Sequence, residues 1–400
     1  MKILYVNSLY SPLIKGGAEL SLQLIVEGMK SRGHEVVVAS LHAEKTKTVD
    51  EVNGVKVIRV PLKNGYWPYG DAQAPTLSRM AWHFRDRKNV GMGETIRQIL
   101  QEERPDVVSC HNLAGWSIAV WDEIYAAGIP IIQVLHDFYL LCPNSNMNKA
   151  GVPCETQCLS CQLLRSNHPT TSSKVSAVVG ISQSILNRFV SAGYFSNASK
   201  EVIYNVRTAP ESLPPRIRKP REKLVLGYLG TISKVKGVEW LIEQFQKLSI
   251  PASLKIAGNG NETTLEEFRH LAKSSQVEFV GFVKPSEFLK TIDVLVVPSL
   301  WEEPLGMVAI EALAHGVPVI TSGKGGLGES VKHELNGLIC HPEQANSLGE
   351  AMVRLYDYPA LYNRLSAAAP DSVSRFLDKD RLISEYDQVV RAAMLQKSRA

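Results

Sequence analysis

The chain has 400 residues, 44% of them hydrophobic and 21% charged, with a net charge of +4. That length exceeds one compact core and implies two or three domains, the apolar content excludes a disordered chain, and the weak charge gives no basis for a nucleic-acid partner. No apolar run reaches the ~18 residues of a membrane span, and "MKILYVNSLYSP" lacks a small-residue cleavage site, so it reads as a first strand of a cytoplasmic protein with reduced thiols.

In chain order, "KILYVN" (2–7) is a buried strand by its β-branched apolar run. "SPLIKGG" is a loop, "AELSLQLIVEGMKSRG" an amphipathic helix closed by Gly33, and "HEVVVAS" the next strand. This β-loop-α-β order implies a parallel sheet. The alternation runs on through "VKVIRVP", "DVVSCHN", "PIIQVLHD", "AVVGIS" and "EVIYN" as strands with helices between them. Residues 207–222, "RTAPESLPPRIRKPRE", break it with four prolines and read as a linker. The pattern then restarts with "KLVLGYLG", "SLKIAGNG", "VEFVGFV", "VLVVPS", "PVITS" and "NGLICH" as strands, and helices over about 343–369 and 378–395 close the chain. The expected architecture is α/β, with two doubly wound parallel-sheet domains, 1–206 and 223–375, facing across a cleft, and a terminal helix at 376–400.

Several loops carry candidate chemistry. Gly16 and Gly17 in "KGGAE" stand between the first strand and first helix, where a backbone could approach a phosphate; a plain tight turn is the alternative. "GTISKVKG" (230–237) takes the same place in the second half, with Gly230, Thr231, Lys234 and Lys236. A lysine before a helix N-terminus is locally unfavourable unless an anion lies between them, and a solvated loop is the other reading. "SGKGGLGE" (322–329) is a third glycine-bearing loop.

"PSLWEEPLGMVAIEALAHGVPVI" (298–320) places Glu303 and Glu311 in an apolar run. A helix framed by Pro304 and Gly316 would separate the two carboxylates by about 12 Å. That suits a nucleotide-sugar, with Glu303 on a sugar hydroxyl, Glu311 on a ribose diol and the helix start at Gly306 and Met307 toward the diphosphate. A solvent-facing Glu311 is the alternative. His136 in "VLHDF" ends a strand, with Asp137 beside it as an orienting group; such a histidine is either structural or touches the donor sugar.

These segments together resemble the GT-B fold retaining glycosyltransferases of family 4, the glycosyl transferases group 1 type, over nearly the whole chain. The E-x7-E stretch with Glu303 and Glu311 carries the resemblance furthest; "GTISKVKG", "VIYNV" with Asn205, "GGLGE" ending in Glu329, and His136–Asp137 extend it. The resemblance implies two Rossmann-like domains and a terminal helix crossing back to the first. It implies a nucleotide-diphosphate sugar donor, transfer with retention and no catalytic metal. Lys236 would neutralise the leaving diphosphate, Glu303 bind the transferred sugar, Glu311 the ribose, and His136 touch the sugar near the reacting carbon. Thr231 stands where the family has Arg, and Lys234 is a candidate substitute. The implied role is synthesis of a bacterial surface polysaccharide or glycolipid; a nucleotide-sugar epimerase and a non-catalytic sugar-nucleotide binder are the alternatives.

Cys142, Cys154, Cys158 and Cys161 are spaced C-x11-C-x3-C-x2-C in a loop after His136. The pattern suits a structural tetrahedral zinc shaping an acceptor lid; an iron–sulfur cluster and unlinked thiols are alternatives. The acceptor, a saccharide or a lipid-linked one, is expected at first-domain loops, above all 62–92. There Arg79, Arg85, Arg87 and Lys88 among aromatics suit peripheral contact with the inner face of the membrane, or a solvated loop.

Overall fold

The computed structural model describes residues 1–397 apart from 71–73, 150–151, 209 and 211–215. The chain divides into two compact units. The first takes Met1–Met147, Glu155–Asn205 and the segment from Asp380; the second takes Asn148–Cys154 and Val206–Lys379. No helix among the described residues is long and apolar enough to cross a membrane.

Sixteen strands are described: β1 Lys2–Val6, β2 Glu35–His42, β3 Thr48–Val52, β4 Val55–Pro61, β5 Val107–Cys110, β6 Ile131–Leu135, β7 Asn148–Lys149, β8 Val152–Pro153, β9 Ala177–Gly180, β10 Ser199–Val202, β11 Leu224–Leu229, β12 Ala252–Ala257, β13 Val277–Gly281, β14 Val294–Val297, β15 Val319–Thr321 and β16 Gly337–Ile339. The first unit holds an eight-stranded sheet in the order β10-β9-β6-β5-β1-β2-β4-β3. Its pairs are parallel except β3 with β4. The second holds a parallel six-stranded sheet, β13-β12-β11-β14-β15-β16. Helices join the parallel strands, as crossovers require. Both sheets are thus doubly wound, as the GT-B resemblance implies for each half.

The parallel strands are apolar runs because both sheet faces are covered. Ile3, Leu4, Val6, Val38, Val107, Val108, Ile131 and Ile132 are sealed from solvent in the first unit. Leu226, Leu254, Ile256, Val294, Val296 and Ile320 form the second core with Leu241, Ile242 and Phe268 from its helices.

Several expectations change in detail. β3, "TVDEV", lacks an apolar face and is absent from the pattern reading; Asn53 (φ 52°) and Gly54 (φ 72°) make the tight turn that folds it back on β4. The helix expected over 343–369 is two, Ser347–Asp357 and Pro359–Ser372, interrupted where Pro359 cannot continue its predecessor. The linker reading of 207–222 falls partly outside the described residues, at 209 and 211–215. Its described part is tied to the second unit: Arg218 meets Asp293 Oδ2 at 2.5 Å and Arg216 Nη2 donates to Leu289 O at 2.7 Å. The helix Lys379–Lys397 packs in the first unit through Ile383 against Gly28, whose missing Cβ leaves room for it, and through Asp387 on His34 at 3.0 Å.

Candidate functional site

In the second unit the strand order reverses between β11 and β14, and a doubly wound sheet binds its ligands at the carboxyl ends of strands beside such a switch. The loops after β11, β14 and β15 therefore meet. Three glycines let them do so. A Cβ on Gly237 (φ 74°) would lie 2.0 Å from Pro298 O; one on Gly306 (φ 81°), 2.3 Å from Leu327 Cδ2; one on Gly325 (φ 64°), 2.4 Å from Glu303 O. Gly326 N then donates to Glu303 O at 2.7 Å, fixing the 298–306 loop against the "GGLGE" turn.

Glu303 sits at the centre and is 8% exposed. Its Oε1 accepts from Lys236 Nζ at 2.7 Å, Ser299 Oγ at 2.5 Å and Trp301 Nε1 at 3.0 Å. The Lys236 ammonium also lies 4.7 Å from the centre of the Trp301 ring. A carboxylate taken this far from water requires such partners. The structure thus joins Lys236 and Glu303, 67 residues apart, in one charged cluster. Sequence spacing showed both residues but not their contact.

Helix Met307–Ala314 begins after the left-handed Gly306, three residues later than the frame set by Pro304 suggests. Residues 303–306 are not helical, so the 12 Å spacing drawn from a continuous helix no longer follows. Gly306 and Met307 do form the helix start. Glu311 is half-buried and has a partner that the sequence reading missed: Arg207 Nε donates to its Oε1 at 2.6 Å. Its burial therefore does not by itself demand a ligand. Arg207 stands in the proline-rich stretch 207–222, where no local pattern singles it out.

Gly230 (φ 148°) and Thr231 open the β11 loop, whose Thr231 carbonyl accepts from the Tyr228 hydroxyl at 2.7 Å. Lys234 does not join the cluster. It pairs with Glu267 at 3.1 Å, both side chains half in solvent. The substitute for the missing arginine is thus not in place there.

In the first unit the strand order reverses between β1 and β5. Gly16 and Gly17 follow β1. Gly16 caps helix Gly17–Ser31, and its N–H already donates to Glu19 Oε2 at 2.8 Å. The Gly16 N–H at the helix start is thus taken up by the helix's own carboxylate, the one half of a capping box that a glycine N-cap allows.

His136, just past β6, is buried, and its Nε2 lies 2.9 Å from Nδ1 of His111, just past β5. The rings stack at 5.2 Å and 22°. His111 in turn meets Ser109 Oγ at 3.1 Å. Burial holds His111 well below the usual imidazole range and His136 down at about 4, so both are neutral at pH 7. The Nδ1 of His136 has no partner among the described residues. Asp137 does not orient His136, as its position suggested. Its Oδ1 accepts from Tyr139 N at 2.7 Å, and burial, with the Glu19 carboxylate adding to it, raises it to about 6. His111 is the orienting group. "SCHN" at the end of an adjacent strand is the signal that could have found it.

The cysteines gather only in part. Cys158 and Cys161 sulfurs are 3.5 Å apart, and Cys161 also bonds Cys142, which draws the Cys142 thiol down to about 6. Cys154 belongs to the stretch that groups with the second unit. Among the described residues no group of three or more His, Cys, Asp or Glu side chains is arranged to hold a metal ion.

Comparison with known proteins gives two family matches. The glycosyl transferase 4-like domain matches residues 16–205, and glycosyl transferases group 1 matches residues 211–372. A 42.6 kDa protein of the cps region of Klebsiella pneumoniae is 32% identical, over 82% of this chain and 87% of its own. Among solved structures, sucrose-phosphate synthase from Thermosynechococcus elongatus superposes with a TM-score of 0.77 at 17% identity, covering 99% of each chain. Anabaena HepE, in complex with UDP and glucose, gives 0.71 at 19% identity, covering 98% of this chain and all of its own. At these identities the structural likeness shows the fold alone, and that fold is GT-B.

Proposed function

Since the chain belongs to the glycosyl transferases group 1 family and is a glycosyltransferase, we propose that it moves a sugar from a nucleoside diphosphate sugar, with retention, to a saccharide or lipid-linked acceptor at the cytoplasmic side of the envelope. The observation that carries this reading is the Lys236–Glu303 cluster with Trp301 at the switch point of the second sheet. A fixed ammonium there opposes the charge that grows on a departing diphosphate, and such preorganised charge is the main catalytic term in this chemistry. In this reading Glu303 also takes a hydroxyl of the transferred sugar. Glu311 exchanges Arg207 for the ribose diol. The buried, unpartnered Nδ1 of the neutral His136 is then available to hydrogen-bond the sugar near its reacting carbon. The relative from a cps region supports a surface polysaccharide product, and HepE, crystallised with UDP, supports a uridine donor.

The test is incubation with radiolabelled UDP-, GDP- and ADP-sugars and an acceptor extract, with the anomeric configuration of the product read by NMR. Transfer with the donor's configuration kept is the expected result. Transfer with inversion removes the retaining mechanism. A sugar epimerised in place, or nucleotide bound with no turnover, replaces the proposal altogether.

A further inference from the structure

The segment read as a basic aromatic loop contains a helix, Thr76–Asp86, with an apolar stripe turned outward. Leu77, Met80 and Phe84 repeat at three- and four-residue intervals on one face and are 80%, 64% and 66% exposed. Trp82 and Asp86, on the opposite face, are buried. A second helix, Leu159–Arg165, repeats the arrangement, with Leu159 and Leu163 outside at 83% and 65% exposure and Cys161 and Arg165 buried.

The two helices share one buried polar anchor. Asp86 accepts from Asn64 Nδ2 at 2.7 Å, from Gly115 N at 3.0 Å and from the Tyr139 hydroxyl. Arg165 Nε donates to Tyr139 O at 3.0 Å and its guanidinium lies over the Tyr139 ring at 4.6 Å. At the surface, Arg87 Nη2 bridges from the end of the first helix to Ser166 Oγ at 2.5 Å and Asn167 Oδ1 at 3.2 Å. Inner faces locked together in this way leave five large apolar side chains exposed on two linked helices. Exposed apolar surface on this scale marks an interaction site.

The charge around it selects the partner. Arg79 and Arg85 flank the apolar stripe, are exposed, and form no ion pair with any described residue. The only acid in residues 74–93 is Asp86, which is fully buried, and residues 156–200 contain no Asp or Glu. Two segments that are apolar at their centre, basic at their rim and without an exposed acid of their own repel a second copy of themselves. They match the plane of an anionic bilayer, where apolar side chains enter the headgroup boundary and arginines meet lipid phosphates. We propose that the outer faces of helices Thr76–Asp86 and Leu159–Arg165 form a docking surface for anionic phospholipid membrane. The proposal stands apart from the donor site and does not depend on which sugar is moved.

The test is co-sedimentation of the full chain with vesicles of phosphatidylcholine alone and with about 30% phosphatidylglycerol. The expected result is at least about tenfold more protein bound to the anionic vesicles, lost in about 0.5 M salt. Both L77S/M80S/F84S and R79E/R85E should lose this binding. Their circular dichroism and thermal midpoint should be those of the wild type, since every changed side chain is exposed. Equal binding to both vesicle types, or anionic binding retained by both variants, overturns the proposal. So does light scattering that shows a dimer which the serine variant converts to monomer, because the face then belongs to a second copy.

Discussion

At the switch point of the second sheet the side chains carry full charges held in pairs: Lys236 on Glu303 and Arg207 on Glu311. At the switch point of the first, the matching loops hold two stacked imidazoles that burial keeps neutral. The contrast follows from what surrounds each group. Glu303 has three donors on one oxygen, whereas His136 has one neutral neighbour and would lose hydration with no compensation if it were protonated. One half of the enzyme thus holds its charges in pairs. The other is equipped to offer directed hydrogen bonds with no net charge.

The comparison can be broken by substitution. Lys236→Ala is expected to lower kcat by about 10²–10³-fold, with the folded circular-dichroism spectrum retained; a loss under tenfold in steady-state assays would take the leaving-group charge away from the second unit. Glu311→Ala should weaken binding of the nucleoside diphosphate by about tenfold, the cost of removing a charged acceptor, as read by calorimetry. Arg207→Ala should act in the opposite sense and more weakly, tightening the same binding a few-fold, because the ribose no longer competes with a guanidinium for Glu311.

The neutral half makes a prediction in pH. His136 is depressed to about 4, so its burial contributes stability that is complete above the unfolded value of ~6.5 and is lost as the pH falls toward 4. Asp137, raised to about 6, works in the other direction over the same range. His136→Asn should therefore flatten the fall in thermal midpoint between pH 6.5 and 4, and wild-type kcat/KM should show no limb from this imidazole between pH 6 and 8. The smallest effect expected is that of Lys234→Ala. Its pair with Glu267 is exposed at both ends, so kinetics should stay within about twofold of wild type. A large loss there would instead mean that Lys234 leaves Glu267 to replace the arginine absent at Thr231.

The sheets were legible because parallel strands buried on both faces must be written as short apolar runs, and "KILYV" or "VLVV" reads no other way. β3 was not, because "TVDEV" is an edge strand with no apolar face, and only the Asn53–Gly54 turn commits it. At the site, Glu303, Glu311 and Lys236 could be picked out by type and spacing. Their partners could not. Arg207 comes from 104 residues before Glu311, and His111 from a neighbouring strand, so each contact exists only once the strand order is known. The charge pattern of 62–92 was visible, but not that Arg87 and Lys88 are spent on internal contacts, with Ser166 and Asp122, while Arg79 and Arg85 are not.

The first sheet is open, and its outermost strands are β3 and β10. β3 turns exposed Asp50 and Glu51 to the border, and β10 exposed Lys200 and Glu201. Unpaired backbone there would otherwise template association with any neighbouring chain, and ionised side chains along both margins are a device that forbids it. The enzyme gains from this. Its pleated layer stops at eight strands instead of growing into a fibre.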